Sequence, residues 1–306
     1  MSDRGWVSAH VFYSGDLDML LAEAIRPLVV ELVDGALLRG YFFLRYWEGG
    51  PHLRLRLRPA AAGMRERVRE VVAASCERYL RQRPATTPLT PAQYASVAPQ
   101  LARLERLTSY AKALYPDNSV HFIAYRAEHD RYGTGVCLDA VERHFMESSQ
   151  IALALVSAGT AATAATARQT AGFCAVMLAR LVCPPGVFAA PGTPGDVVPP
   201  GRGARAEDYA RQRERLHGLG QAMREVAAEV PAEPPAGTAS GGLRAWRDSV
   251  TTLRDALAGH ADAARTAQIV DTCVHLFCNR LGISIPEEGH LRYLVARTAA
   301  DLHAKE

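Results

Sequence analysis

Over the first part of the chain apolar positions recur every second residue, with one helical interlude. Trp6 to Tyr13 alternates polar and apolar residues, as a strand with one covered face does. Asp16, a residue type that caps helices, precedes an apolar stripe of Leu20, Leu21, Ile25, Leu28, Val29 and Leu32. Pro27 removes a backbone donor inside that helix and predicts a kink or a restart, and Asp34-Gly35 predicts its end. Gly40 to Trp47 is rich in aromatics and reads as a second strand, and His52 to Arg58 reads as a third with strict alternation. Glu48-Gly49-Gly50-Pro51 is a turn, so these two strands are expected to form a β-hairpin with a four-residue connection.

Beyond the hairpin the helical period takes over. Met64 to Gln82 places Val68, Val71, Val72, Cys76 and Tyr79 on one face, and Thr90-Pro91 opens another helix with proline in its first turn. Val120 to Tyr125 reads as a short strand. Helices are predicted over Gly135 to Val156, Ala164 to Leu181, Ala206 to Val230, Leu243 to Leu257, Asp262 to Leu281 and Glu288 to His303. Two Pro- and Gly-rich stretches, 183–203 and 231–242, read as surface loops. The chain between them is too short for a separate core, so residues 1–306 are expected to form one domain. The fold class expected is α+β: helices packed on a mixed or antiparallel sheet drawn mainly from the first 125 residues.

Composition narrows the function classes. A net charge of +3 and a pI near 8.6 lie far from the imbalance of a dedicated nucleic-acid binder. The basic residues are almost all Arg, with only Lys112 and Lys305 as lysines, so Arg position informs more than Arg number. The six cysteines form no Cys-x-x-Cys pair and sit in apolar surroundings, as reduced core thiols do. No run of apolar residues is long enough to span a membrane, and the N-terminus lacks a signal-peptide pattern, so a cytoplasmic location is expected. His-Glu-x-x-His, Walker-loop, Gly-x-Gly-x-x-Gly and Gly-x-Ser-x-Gly signatures do not occur.

Three constellations carry candidate chemistry. In the strand after Gly49-Gly50-Pro51, Leu53, Leu55 and Leu57 share one face, and His52, Arg54, Arg56 and Arg58 share the other. Guanidinium groups in a row suit bidentate grip of a carboxylate, although a solvated outer face of a sheet gives the same pattern. In Tyr125 to Gly133, Glu128 and Arg131 are spaced to pair, which by itself describes an ordinary surface ion pair. In Val274 to Leu281, His275 and Asn279 stand four apart on one helix face, where a histidine is commonly a hydrogen-bonded core residue.

Taken together, these stretches resemble the C-terminal glutamate-elimination domain of lantibiotic dehydratases and the related stand-alone proteins of thiopeptide-type bacteriocin biosynthesis. Phe42 through Arg56 matches the family hairpin, with Arg45, Tyr46, Gly50, Pro51, His52, Leu53, Arg54 and Leu55 in place. Tyr125 to Thr134 resembles the family's later stretch, with Ala127 where the family has Pro and Thr134 where it has a second Gly. Glu142, Phe145 and Ser149 match a downstream stretch in which Ser148 replaces Asp, and His275, Asn279, Arg280 and Leu281 match near the C-terminus.

The resemblance implies elimination of glutamate from glutamylated Ser or Thr of a precursor peptide, with a separate glutamyl-tRNA-dependent enzyme supplying the ester. It implies no metal or organic cofactor, no direct nucleic-acid contact and no membrane. It places Arg54, Arg56, Glu128, Arg131 and His275 in the catalytic set. Arg54 and Arg56 would hold the glutamyl carboxylate, Glu128 and Arg131 would orient the adduct, and His275 would transfer a proton as base or acid. Arg45, His52, Tyr132 and Asn279 are the expected substrate-binding neighbours. Pyridine synthases of the same fold, which join two dehydroalanines in a formal [4+2] cycloaddition, are the alternative enzyme. A non-catalytic peptide-docking subunit is the alternative of another class. Base stacking on Tyr41, Phe42, Phe43, Tyr46 and Trp47 is a remoter option, core packing being the more economical reading.

Overall fold

The structure, a computed structural model, describes residues 5–105, 107–158, 164–183, 202–229 and 239–304. They group into two compact units, one of Met1–Ala127 with Leu153–Ala158 and the other of Glu128–Ala152 with Gly159–Glu306. The expected loops at 183–203 and 231–242 lie largely outside the described residues. Where the chain is described again, it is already helical at Arg202 and at Ala239, earlier than the periodicity predicts.

The first unit is built on a four-stranded sheet in the order β2-β3-β1-β4. Its strands are β1 (Val7–Phe12), β2 (Leu38–Tyr46), β3 (His52–Pro59) and β4 (Ser119–Phe122). Every pairing is antiparallel. Leu53, Leu55 and Leu57 are fully buried, which stabilises the unit by about 1.5–3 kcal/mol for each side chain withdrawn from water. Helices α1 (Leu17–Leu20), α2 (Arg26–Asp34) and α3 (Arg65–Gln82) belong to this unit. The Arg69 guanidinium of α3 lies 4.2 Å over the ring of Phe122, on the leucine side of the sheet. A fourth helix, α4 (Pro91–Leu104), opens at Thr90-Pro91 as its sequence predicts, and a Thr90–Gln93 capping box closes its first turn.

Local sequence explains the irregular points. Pro27 cannot donate to the carbonyl four residues back, and the chain answers with a π-helical turn over Leu21–Ile25, so the expected kink becomes a widened turn. The helix ends at Asp34, but the left-handed position falls on Ala36 (φ 53°) and not on Gly35 (φ −75°). Leu37 N–H closes the end by donating to Leu32 O at 2.9 Å. The hairpin connection spans residues 47–51, five and not four, because Trp47 falls outside the ladder and Tyr46 pairs with His52. Gly49 (φ 75°) and Gly50 (φ 116°) supply its left-handed backbone, and a Cβ at Gly49 would come within 2.9 Å of the Tyr115 ring.

The second unit is helical: α5 (His129–Tyr132), most of α6 (Val136–Ala158), α7 (Ala164–Val182), α8 (Arg202–Ala228), α9 (Ala239–Ala258), α10 (Ala263–Arg280) and α11 (Ile285–His303). Its centre is Trp246 of α9, stacked on Phe277 of α10 with centroids 4.1 Å apart. The Trp246 indole N–H donates to Ala175 O of α7 at 3.0 Å. Arg247, also buried, donates to the carbonyls of Val226 and Glu229 at the end of α8, groups that the helix itself leaves unsatisfied. The six cysteines are free and buried, and burial pushes the thiols of Cys76 and Cys273 up to about 12. None of the described helices is long and apolar enough to cross a membrane.

Candidate functional site

On the sheet of the first unit, strand alternation puts His52, Arg54, Arg56 and Arg58 on the face opposite the buried leucines. The face is not a solvated one: His52 is 1% and Arg56 7% exposed. Each arginine rests on an aromatic ring. Arg54 lies 3.4 Å over Tyr46, Arg56 lies 5.7 Å over Tyr125, and Arg58 lies 5.7 Å over Trp6. Arg54 also pairs with Glu48 at 3.1 Å and donates through Nε to His52 Nε2 at 3.3 Å. Rings and carboxylate together hold the guanidinium groups as a fixed row.

The antiparallel register extends this face onto β1 and β4. Arg56 stands opposite Ser8, Arg54 opposite His10, and His10 in turn opposite His121. His10 is 5% exposed and stacks on His52 with centroids 5.0 Å apart. Its Nε2 is buried with no hydrogen-bond partner among the described residues. Burial, then the neighbouring Arg56 charge, pulls its pKa down to about 2. His52 is lowered to about 3, again first by burial. Both rings are therefore neutral between cations. Sequence alone does not single out His10. Its one signal was a polar residue two positions from Ser8 in a strand that the structure buries on both faces.

Arg45 is brought elsewhere. It lies on the leucine side, opposite Leu53, and pairs with Asp18 of α1 at 2.5 Å, so the structure does not place it with Arg54 and Arg56.

In the second unit, Glu128 and Arg131 pair at 3.0 Å and are about half exposed. Tyr132 is core: 3% exposed, edge-on to Phe145 of α6 at 5.5 Å. Arg280 of α10, fully buried, lies 5.2 Å over the other partner of that packing, Phe145, and burial lowers its pKa to about 10. An Arg265 side chain of α10 donates to Asp130 O of α5. Three stretches far apart in sequence, around Tyr132, Phe145 and Arg280, thus meet at one ring. Glu142, Ser148 and Ser149 of α6 are buried as well.

His275 and Asn279 share the half-buried face of α10, as their spacing predicts. The sequence did not disclose the partner of His275. Its Nδ1 meets Glu288 Oε2 of α11 at 2.6 Å. Glu288 is 6% exposed and also accepts from Arg292 at 2.7 Å, and Arg292 pairs with Asp271 at 2.5 Å. Burial alone would raise the Glu288 pKa, but His275 and Arg292 outweigh it and hold the carboxyl below its usual value. An ionised Glu288 accepts the Nδ1–H of His275 and leaves Nε2 as the ring's lone-pair end.

A cavity of about 420 Å³ also opens in the second unit, lined by Phe173, Leu216, His290 and Leu291 among others, and none of the candidate residues borders it. Among the described residues no group of three or more His, Cys, Asp or Glu side chains could hold a metal ion.

Comparison with known proteins shows the fold and the family. No curated protein matches the chain. The pyridine synthase TbtD from thiomuracin biosynthesis is similar in structure, with a TM-score of 0.79 and 22% identity over 98% of this chain and 99% of that one. The tRNA-dependent lantibiotic dehydratase MibB from Microbispora sp. 107891 has a TM-score of 0.58 and 18% identity, covering 99% of this chain but 28% of that one. TsrL has a TM-score of 0.59 and 17% identity over 98% and 95%. The lantibiotic biosynthesis dehydratase C-terminal family model matches residues 6–299, a span that takes in the arginine strand, the Tyr132–Phe145–Arg280 packing and the His275–Glu288 pair, and the chain belongs to that family.

Proposed function

We propose that the protein eliminates glutamate from glutamylated Ser or Thr of a ribosomally made precursor peptide, leaving dehydroalanine or dehydrobutyrine. The observation that carries this reading is the pair Arg54 and Arg56 on one strand face, oriented by Tyr46, Glu48 and Tyr125 and largely withdrawn from water. Guanidinium groups shielded in this way attract a carboxylate more strongly than exposed ones.

The chemistry assigns the remaining roles. The Cα–H of the modified residue gives up its proton to a base, and its electron pair forms the Cα=Cβ double bond. The Cβ–O bond breaks, and glutamate departs as a carboxylate held by Arg54 and Arg56. His275, held through Nδ1 by Glu288, is the proton-transfer residue. Glu128 and Arg131 orient the adduct, and His52 and Asn279 contact the substrate. Tyr132 acts through its packing on Phe145. The glutamyl ester is supplied by a separate glutamyl-tRNA-dependent enzyme.

A second reading has a specific observation behind it. The likeness to the thiomuracin pyridine synthase runs the whole length of both chains. On that reading the substrate is a peptide carrying two dehydroalanines, joined in a formal [4+2] cycloaddition.

One assay separates the readings. The protein is given a synthetic peptide with one glutamylated Ser, and peptide mass and free glutamate are followed. Elimination predicts loss of the glutamyl group and formation of dehydroalanine, with Arg56→Ala or His275→Ala slowing the reaction by about 10²-fold or more. An inert ester together with cyclisation of a two-dehydroalanine peptide would establish the second reading. If both peptides bind and neither is changed, the protein is a peptide-docking subunit and both catalytic readings fall.

A further inference from the structure

Three observations single out His10. It stands directly opposite Arg54 in the β1–β3 ladder and opposite His121 in the β1–β4 ladder, so it sits at the centre of the arginine face. Its ring stacks on that of His52, which is itself fixed by a 2.8 Å contact from Nδ1 to Gly50 O and by Arg54 at Nε2. Its Nε2 is buried without a hydrogen-bond partner among the described residues. A buried imidazole nitrogen left unsatisfied is costly, and a ligand atom would remove that cost. The charged and titratable groups that act most strongly on this ring are Arg56, His52, Arg54 and His121. An acceptor oxygen of an anion would satisfy the Nε2–H and suit the neighbouring guanidinium groups.

We propose that His10 is the third member of a carboxylate pocket, donating its Nε2–H to an anion that the Arg54 and Arg56 guanidinium groups hold from the neighbouring strand. His10, Arg54 and Arg56 all belong to the first unit. The inference rests on the reading that this face receives the carboxylate of the glutamyl group, and it adds a residue that touches it. Because the donor is a neutral ring, it adds a directed hydrogen bond without adding a third charge. It therefore sharpens selection of a carboxylate over an amide, whose NH₂ group would oppose the Nε2–H, more than it adds attraction at a distance.

The test uses L-glutamate itself as the probe, with L-glutaminamide, which carries no carboxylate, for comparison. Protein labelled with ¹⁵N-histidine is titrated, and His10 is assigned by the resonance lost in His10→Phe. The expected result is a saturable shift of the wild-type His10 Nε2 resonance with glutamate and none with L-glutaminamide. Calorimetry is expected to show His10→Phe weakening glutamate binding by roughly tenfold or more, the effect of losing one hydrogen bond to a charged group. A His10 resonance that stays fixed while glutamate saturates the protein would overturn the proposal, as would a failure of glutamate to bind. The titration reads wild-type protein, so a His10→Phe variant that folds poorly does not blunt it. Glutamate binding with an inert glutamyl ester would sink the elimination reading while leaving the pocket intact.

Discussion

At the scale of single residues, the His275–Glu288 contact is the most consequential. A lone histidine on an amphipathic helix has two usable tautomers. A buried, ionised carboxylate 2.6 Å from Nδ1 selects the one with its lone pair on Nε2. Glu288→Gln keeps the shape but removes the charge that selects it. The expected outcome is a fall in kcat of about 10²-fold with KM little changed, read from steady-state kinetics on the glutamylated peptide. An unchanged kcat would remove His275 from proton transfer. Arg45 teaches the converse: an arginine in the same matched hairpin, one strand away from Arg54, lies on the opposite face and serves Asp18.

At the scale of elements, backbone conformation offers the cleanest test. α2 ends with Ala36 in the left-handed region, a place where a Cβ clashes with the neighbouring carbonyl and glycine is at ease. Gly35, one residue earlier, does not use its freedom. Ala36→Gly is therefore expected to stabilise the protein by about 0.5–1 kcal/mol, the relief of strain exceeding glycine's extra entropy in the unfolded chain. Urea denaturation at neutral pH measures it, and a variant less stable than wild type would contradict the account. The π-helical turn before Pro27 belongs to the same scale: a proline spaced for an interior position is tolerated because the preceding turn widens.

At the scale of the whole molecule, buried neutral histidines link stability to pH. His144 of α6 is 1% exposed, hydrogen-bonded through Nδ1 to Ser249 Oγ at 2.8 Å, and burial lowers its pKa to about 3. His10 and His52 repeat the pattern in the first unit. A histidine whose folded pKa lies below its unfolded value of 6.5 takes up protons more readily when unfolded. Stability is therefore highest above pH 6.5 and declines as pH falls from there toward 3. For His144 the loss between pH 7 and pH 5 is about 2 kcal/mol. Comparing wild type with His144→Gln by chemical denaturation at both pH values, the variant should lose about that much less on acidification. Equal losses would show that His144 is charged in the folded protein.

The sequence by itself determined what depends on neighbours along the chain. Period-two alternation located β1 and β3, aromatic content located β2, and helical spacing, with a cap at Asp16 and helix starts at Thr90-Pro91 and Asp262, located most helices, because these signals act within a turn or a pleat. Alternation also separated Leu53 from Arg54, and the matched motifs identified the family. Only the tertiary structure decided the rest. That β1 lies between β3 and β4, bringing His10 against Arg54, is a matter of strand order, to which local pattern is blind. That Glu288 and not some other carboxylate holds His275 depends on how α11 crosses α10, thirteen residues on. Tyr132 has the spacing of a site residue and the surroundings of a core residue, and what separates the two is Phe145, which reaches it from another helix. Burial and long-range pairing arise from groups that share no local stretch of chain, and for that reason no local reading of the chain contains them.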